Sequence, residues 1–501
     1  MSHRRRITVL AGAGFLLLQL GWMLVIAPNF GIDEFDHSLR SSSVADGHWS
    51  PGQDLVAGKD GRGYLIAVRA DVARTAHAAC AARSYTGKYN CTPKSDPPGD
   101  EVVIASAAGR YNPLYYAVVG NVAKPFTGEA NLIAMRVTTA VLAALLFAAV
   151  VWLTVGAART VWPLLGCLLA ALPTTVYSTA IATPNGLEII AGLGVWASLA
   201  VVVGGARGVQ RRGTAYGLLA VSVTVLANTH TLGLLWLALI GLTTVIAHGL
   251  GTTLRALLPT RRSEYAAAVL AVAGVVFELG WVLTSGVNDP SMEHRTYPGS
   301  AIPYVVDGLL LWPLQAIGAV PMRDDPAPGA LYVLVITVLV VVAALVLRRT
   351  RLRSRSGLAL TFVAVASFAV PAALTVQAFG QMGAAWQGRY GMPFTVGLLL
   401  LGAAVLDGHE RPVAHAPLFA SVAVPALVAA HLIGQISVRG TMHRDATALA
   451  SIGWSAPDRL LLGVIAALAL ACWFSAIRSS VTAPAPSPVA AGPPRHALVR
   501  A

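Results

Sequence analysis

Long apolar segments alternate with short polar ones along almost the whole chain. Most of the apolar segments contain about 17 to 25 residues, which is enough for a helix to cross roughly 30 Å of hydrocarbon. The pattern therefore predicts an all-α polytopic membrane protein with about twelve transmembrane helices. The predicted spans are residues 7–27, 131–156, 161–178, 187–204, 215–228, 232–249, 266–285, 331–347, 358–377, 394–406, 418–436 and 459–477.

The composition agrees with this pattern. Hydrophobic residues make up 55% of the chain and charged residues only 12%, and the mean hydropathy is +0.65. These values exclude an ordinary soluble domain, so we expect the lipid bilayer to be the first partner of the chain.

The net charge of +13 comes from arginines that cluster in alternate connections between the spans. Such clusters mark cytoplasmic loops. The short connections 179–186 and 227–231 contain no Lys or Arg, so the alternation places both termini in the cytoplasm. Because topology accounts for the basic runs, we expect no nucleic-acid partner. The clustered arginines are Arg4, Arg5, Arg6, Arg207, Arg211, Arg212, Arg255, Arg261, Arg262, Arg348, Arg349, Arg351, Arg353 and Arg355.

The spans and their connections predict a single membrane-embedded domain over residues 1–477. A long extracytoplasmic loop, residues 28–130, follows the first span, and a second one covers residues 286–330. Residues 478–501 form a Pro/Ala-rich cytoplasmic tail.

Two cysteines, Cys80 and Cys91, lie in a short polar stretch of the first outer loop. In an oxidising compartment such a pair predicts a disulfide bond, and the alternative is two free thiols. His77 lies near Cys80, but no second pair of ligands accompanies it, so a zinc site is not expected.

Polar and charged side chains gather at the outer ends of the spans. Carboxylates, amides, imidazoles and arginines together are what a reaction site needs, whereas the cytoplasmic loops offer mostly arginine. The alternative is that the carboxylates are simply solvated, or that Glu188 pairs with Arg136 or Arg389 to hold helices together. The residues are Asp33, Glu34, Asp36, His37, Arg136, Asn185, Glu188, His230, Gln387, Arg389 and Tyr390.

Four short motifs in this set resemble a bacterial family known as domain of unknown function 2142. They are the Asp33-Glu34 pair followed by Asp36-His37, the run from Tyr111 to Tyr116, Pro184-Asn185-Gly186 with Glu188, and Gln387-Gly388-Arg389-Tyr390 with Pro393. The resemblance covers most of residues 7–436. Members of this family are in turn similar to glycosyltransferases of the C-type (GT-C) fold. The resemblance implies that this chain is a protein of the bacterial plasma membrane.

The resemblance implies an inverting hexosyl- or pentosyltransferase. It would take a sugar from a polyprenyl-phosphate donor outside the membrane and pass it to an envelope lipid or polysaccharide acceptor. Inverting transfer needs a carboxylate to accept the acceptor hydroxyl's proton, and we expect Asp33 to do so. Glu34 would orient the loop, or the two acids would bind a divalent cation, Mg or Mn. Arg389 would hold the leaving phosphate.

The remaining residues of the set are expected to bind substrate. They are Asp36, His37, Arg136, Asn185, Glu188, His230, Gln387 and Tyr390.

Two other classes of protein stay open from the sequence. A twelve-span transporter of an envelope precursor would use the same charges as a pathway, although the VGAART connection at residues 155–160 lacks the Asp-Arg-Gly-Arg type of motif. A non-catalytic envelope assembly protein is the third class. A site open only to the outside would favour the transferase, and a path continuous to the cytoplasm would favour transport.

Overall fold

The computed structural model describes residues 2–52, 55–56, 63–82, 101–204, 209–287, 299–321, 325–383, 385–408, 416–444 and 454–481. Most of these residues are helical, and a small three-stranded sheet accompanies the helices. The prediction of an all-α polytopic membrane protein is confirmed for the membrane domain.

The helices follow one another with short connections. They are α1 His3–Val25, α2 Glu34–Ala45, α3 Ala70–Ala82, α4 Pro113–Ala123, α5 Gly128–Ala157, α6 Trp162–Ala170, α7 Pro173–Thr179, α8 Asn185–Val203, α9 Val209–Thr229, α10 Gly233–His248, α11 Leu250–Leu257, α12 Arg262–Thr284, α13 Ile302–Gly318, α14 Gly329–Arg349, α15 Arg355–Met382, α16 Met392–Thr395, α17 Gly397–Asp407, α18 Ala416–Arg444 and α19 Arg459–Val481. A short 3-10 turn, Gly388–Gly391, precedes α16.

Nine stretches of the described residues are long and apolar enough to span a membrane, and α10 with α11 makes a tenth if that bent pair counts as one span. Two predicted spans are not single straight helices. Segment 161–178 is divided into α6 and α7, and Pro173 stands in the first turn of α7. The predicted span 232–249 ends at Gly249, where a φ of +84° accompanies a bend of 116° into α11.

The predicted outer segment 286–330 is not a loop throughout, because it contains α13. Asp307 and two prolines interrupt the apolar run there, which hid the helix from a hydropathy pattern. Pro303 lies in the first turn, where a missing N–H costs nothing, and Pro313 lies inside the helix. The predicted tail starts later than residue 478, since α19 continues to Val481, and the rest of it lies outside the described residues.

The segment between α1 and α4 contains a small layer that packs on α2. Strands β1 Leu55–Val56, β2 Gly63–Arg69 and β3 Glu101–Ser106 form an antiparallel sheet in the order β1-β2-β3. Phe35 and Leu39 of α2 are buried against Ile66, Val68 and Ile104 of the sheet. The layer therefore fixes the helix that carries residues 34–40.

Beneath this layer, the membrane domain packs α1 against α5, α18 and α19. Phe15 and Phe147 stack with centroids 4.4 Å apart, and the Trp22 indole donates to His431 Nδ1 at 3.0 Å. Because lipid tails are as apolar as these side chains, close packing and buried hydrogen bonds hold the helices together.

Candidate functional site

The connection between α1 and α2 turns the chain at one end of the membrane domain. Asn29 and Asp33 both have left-handed backbone conformations, with φ of 61° and 58°, and Asn and Asp tolerate this region better than most residues do. The turn sends two neighbouring acids in different directions. The side chain of Asp33 is 43% exposed, whereas that of Glu34 is fully buried.

Glu34 is held by four donors. Arg136 Nε donates to Oε1 at 2.7 Å and Nη2 to Oε2 at 2.6 Å, a bidentate ion pair. The backbone N–H groups of Ala182 and Gly31 also donate, at 2.9 and 3.2 Å. Burial by itself raises the pKa of Glu34, but the Arg136 charge and these hydrogen bonds lower it below its ordinary value. The carboxylate is therefore ionised and saturated.

Arg136, which enters from α5, also ties down the end of α1. Its guanidinium donates to the carbonyls of Ile26 and Ala27 at 2.7 and 2.8 Å. These carbonyls lie just beyond the last turn of α1, where helix-end acceptors need partners. The sequence suggested Arg136 for substrate binding and Glu34 for catalysis. In the structure the two side chains instead pair with each other and hold the α1–α2 turn in place.

Asp33 faces Arg389 instead. Arg389 Nη2 donates to Asp33 Oδ2 at 2.5 Å, and the arginine side chain is buried. Within the described part of the chain, Arg389 Nε and Nη1 have no hydrogen-bond partner. A buried guanidinium with two unused donor groups is expected to bind an anion.

Arg389 is positioned by the 3-10 turn that packs on α13. Gly388 N donates to Gln315 Oε1 at 2.8 Å. A Cβ on Gly388 would overlap the Trp312 carbonyl oxygen, so only glycine fits there. Helix α13, which the sequence analysis missed, thus sets the position of the arginine.

A narrow pocket lies beside Arg389, and Tyr177, Ser178, Gln315 and Gln387 contribute to its lining. Among the described residues, Ser178 Oγ and Gln387 Oε1 are buried without a hydrogen-bond partner. The pocket therefore combines unused donors from Arg389 and Ser178 with an unused amide oxygen from Gln387.

Two further predicted residues belong to α8. Glu188 is buried within electrostatic range of Arg389, and its Oε1 has no hydrogen-bond partner in the described ranges. Asn185, also buried, is the first residue of the helix. The structure thus brings Glu188 within electrostatic range of Arg389, which is compatible both with a site and with the alternative of a pair that holds helices together.

Three further predicted residues form a cluster of rings beside Asp33 and Arg389. They are His37, His230 and Tyr390. His37 Nδ1 lies 2.7 Å from the Tyr116 hydroxyl. The His230 ring lies 5.2 Å from that of Tyr390. Burial lowers the pKa of both imidazoles to about 4, so both are neutral at pH 7.

Asp36 binds the sheet rather than the pocket. Its Oδ1 accepts from Ala107 N at 2.7 Å, and its backbone carbonyl accepts from Ser106 Oγ at 3.0 Å. These bonds join α2 to the end of β3. The position supports a framework role for Asp36.

The suggested cation site at Asp33 and Glu34 does not fit their geometry. The two carboxylates do not converge, since one is exposed beside Arg389 and the other is saturated by Arg136 and backbone donors. Among the residues that the structure describes, no three His, Cys, Asp or Glu side chains are grouped to hold a metal ion. The reaction proposed for this site therefore involves neither Mg nor Mn.

Three contributors escaped the sequence analysis. Ser178 and Tyr177 lie in PTTVYST, a polar run inside an apolar segment, which was a usable signal. Gln315 lies in the segment taken for a loop. Tyr177 accepts from Ile32 N at 2.9 Å and donates to the Pro321 carbonyl at 2.6 Å, which joins the α1–α2 turn to the end of α13.

The disulfide between Cys80 and Cys91 stays a prediction. Cys80 belongs to α3, and Cys91 lies outside the described residues.

The sequence matches the family described as predicted membrane protein (DUF2142) over residues 16–398. No curated protein matches it. Among solved structures it is similar to ArnT from Cupriavidus metallidurans bound to undecaprenyl phosphate, at 13% identity and a TM-score of 0.40, covering 94% of this chain and 77% of that one. It is also similar to the oligosaccharyltransferase AglB from Archaeoglobus fulgidus in complex with an inhibitory peptide and a dolichol-phosphate, at 11% identity and a TM-score of 0.38, covering 85% and 55%. At these scores the similarity transfers neither a substrate nor a reaction.

Proposed function

The chain belongs to the DUF2142 family of predicted membrane proteins, and we propose that it is an integral-membrane glycosyltransferase. It moves a sugar from a polyprenyl-phosphate donor to an envelope lipid or polysaccharide acceptor at the outer face of a bacterial plasma membrane. The observation that carries the proposal is the Asp33–Arg389 pair, in which an exposed carboxylate adjoins a buried guanidinium with two unused donors.

Asp33 is the general base of this reaction. Glu34 and Asp36 accept hydrogen bonds that hold the turn and the sheet, whereas the Asp33 carboxylate is accessible to an acceptor. As the acceptor oxygen attacks the anomeric carbon, its proton passes to Asp33. The bond from the anomeric carbon to the phosphate oxygen breaks on the opposite face, so the configuration inverts.

Arg389 binds the phosphate of the donor. Its Nε and Nη1 have no hydrogen-bond partner among the described residues, so a phosphate oxygen can accept from either of them, and Ser178 Oγ can add a hydrogen bond from the pocket. The phosphate takes its negative charge with it as it leaves, and the guanidinium stabilises that charge.

The same guanidinium couples donor binding to the base. Without a donor, Arg389 Nη2 donates to the Asp33 carboxylate. A bound phosphate adds a second anion beside the same guanidinium, so its presence changes the electrostatic surroundings of Asp33.

The test compares Asp33→Asn with Glu101→Gln, both in the full chain reconstituted in lipid. Glu101 is a matched control because it is another outer carboxylate with a similar exposed fraction, 48%. Asp33→Asn should lower transfer from polyprenyl-phosphate sugars, measured per folded molecule, by roughly 100-fold or more. It also removes the charge that pairs with buried Arg389, so the unfolding temperature should fall as well, whereas Glu101→Gln should change neither quantity. Full transfer by a stable Asp33→Asn protein would remove Asp33 from the mechanism. Vectorial movement of the donor without sugar transfer would favour the transporter.

A further inference from the structure

A row of aromatic and imidazole rings runs along one side of the Asp33–Arg389 pair. Ring centroids are 5.7 Å apart from His37 to Tyr111, 6.4 Å from Tyr111 to His230 and 5.2 Å from His230 to Tyr390. At the end of the row, Arg389 Cζ lies 5.3 Å from the Tyr390 ring centroid. These four residues, the ring row, come from α2, from the connections before α4 and α10, and from the 3-10 turn.

The ring row offers hydrogen-bonding groups as well as flat faces. His230 Nδ1 accepts from Leu232 N at 3.2 Å, which places the proton of the neutral ring on Nε2. His37 is fixed at Nδ1 by the Tyr116 hydroxyl. Burial raises the pKa of Tyr111 above its ordinary value, so its hydroxyl stays protonated. The Nε2 atoms of His37 and His230 are therefore directed away from the contacts that fix Nδ1 in each ring.

The charged groups near the ring row already have partners. Asp36, which acts electrostatically on Tyr111, accepts from Ala107 N at 2.7 Å. Glu34 is paired with Arg136, and Asp33 with Arg389. Arg40 donates to the carbonyls of His48, Trp49, Ser50 and Tyr111, and both imidazoles of the row are neutral. Glu188 acts on Arg389, but it is not among the charges that act on either imidazole.

We propose that the ring row is the sugar-binding face of the site and that the transferred sugar carries no charge. This rests on the proposed function. Ring faces pack against the C–H groups of a sugar, while the imidazole and phenol groups bond its hydroxyls. A uronate or an amino sugar would bring an ionised group against neutral rings. The nearby charges, Asp33 and Arg389, are already paired with each other, and burying a further charge is costly.

The experiment measures binding to the full chain in nanodiscs. The probes are bare polyprenyl phosphate and its conjugates with a neutral hexose, an amino hexose and a hexuronate. We expect the neutral conjugate to bind about tenfold or more tightly than either ionised conjugate. Equal or tighter binding of an ionised conjugate would overturn the sugar class. Failure of all four probes, including bare polyprenyl phosphate, would instead contradict the proposed function.

Two variants of one residue test the ring row itself. His230→Leu removes the ring and should weaken binding of the neutral conjugate about tenfold while leaving bare polyprenyl phosphate unaffected. His230→Phe keeps a flat face without the N–H group and should fall between. A merely structural role for His230 would weaken both probes together and lower the unfolding temperature. Unchanged binding of the neutral conjugate by a stable His230→Leu protein would remove the ring row from the sugar site.

Discussion

At the scale of single residues, two adjacent acids have opposite surroundings. The left-handed backbone of Asp33 turns its carboxylate outward to Arg389, and the next residue, Glu34, points into the protein to Arg136. Their chemistry is nearly the same, so environment alone assigns one to proton transfer and the other to structure. A sequence offers both as candidates and does not choose between them.

Replacing Glu34 by Gln should lower the stability of the protein strongly, while the transfer activity of each folded molecule should change little. The change leaves Arg136 with a buried, uncompensated charge, which costs about 3–5 kcal/mol. We expect a lower unfolding temperature and less protein in the membrane. The measurement is the contrast with Asp33→Asn. Because the Asp33 carboxylate is partly exposed and that of Glu34 is fully buried, Asp33→Asn should lose less stability and far more transfer per folded molecule. A stable Glu34→Gln protein with no transfer would return Glu34 to the catalytic residues.

His37 should make the protein less stable in acid. Its pKa is about 4 in the folded chain, below the ordinary 6.5, so between these values the unfolded chain binds a proton that the folded chain does not. Stability is full above pH 6.5 and falls as the pH drops toward 4, by up to about 1.4 kcal/mol per pH unit. Unfolding temperatures measured from pH 7 to pH 5 should fall less steeply for His37→Gln. Parallel curves for the two proteins would contradict this account.

At the scale of elements, hydropathy located the long helices but not their breaks. A helix such as α14 or α19 is a continuous apolar run long enough to cross the bilayer, so hydropathy alone predicts where it lies in the sequence. Helix α13 contains Asp307 and Pro313, which interrupt its apolar run. Its position depends on packing against the 3-10 turn before α16, and a local hydropathy pattern contains no information about that contact. The bend at Gly249 was equally hidden, because glycine permits a left-handed conformation without requiring it.

Two glycines of one turn make a matched test of how α13 positions Arg389. Gly388→Ala would push a methyl group against the Trp312 carbonyl, whereas a Cβ on Gly391 has no heavy atom nearer than 4.0 Å. Such overpacking costs about 1–3 kcal/mol and moves the turn that carries Arg389. We expect Gly388→Ala to weaken binding of polyprenyl phosphate and to lower the unfolding temperature, and Gly391→Ala to do neither. Equal effects of the two changes would mean that the close approach to α13 is unimportant.

At the scale of the whole molecule, the site is assembled by long-range pairing. Glu34 and Arg136 are 102 positions apart, and Asp33 and Arg389 are 356 apart. The sequence predicted that these residues share the outer face, because alternating arginines order the loops. It did not predict which acid meets which base, because that depends on how the helices pack and on the turn between α1 and α2.

The orientation of the chain is the prediction on which an outer reaction site depends. Arginine-rich connections stay in the cytoplasm, so residues 348–357 should be inside and the segment 28–130 outside. Leu352 and Glu101 are exposed representatives of these regions. In a variant without its native cysteines, a membrane-impermeant thiol reagent added to intact cells should label Glu101→Cys and not Leu352→Cys. Both should be labelled after the membrane is opened, which controls for access. Labelling of Leu352→Cys alone in intact cells would invert the topology and place Asp33 and Arg389 on the cytoplasmic side, where a donor made inside would reach them without crossing the membrane.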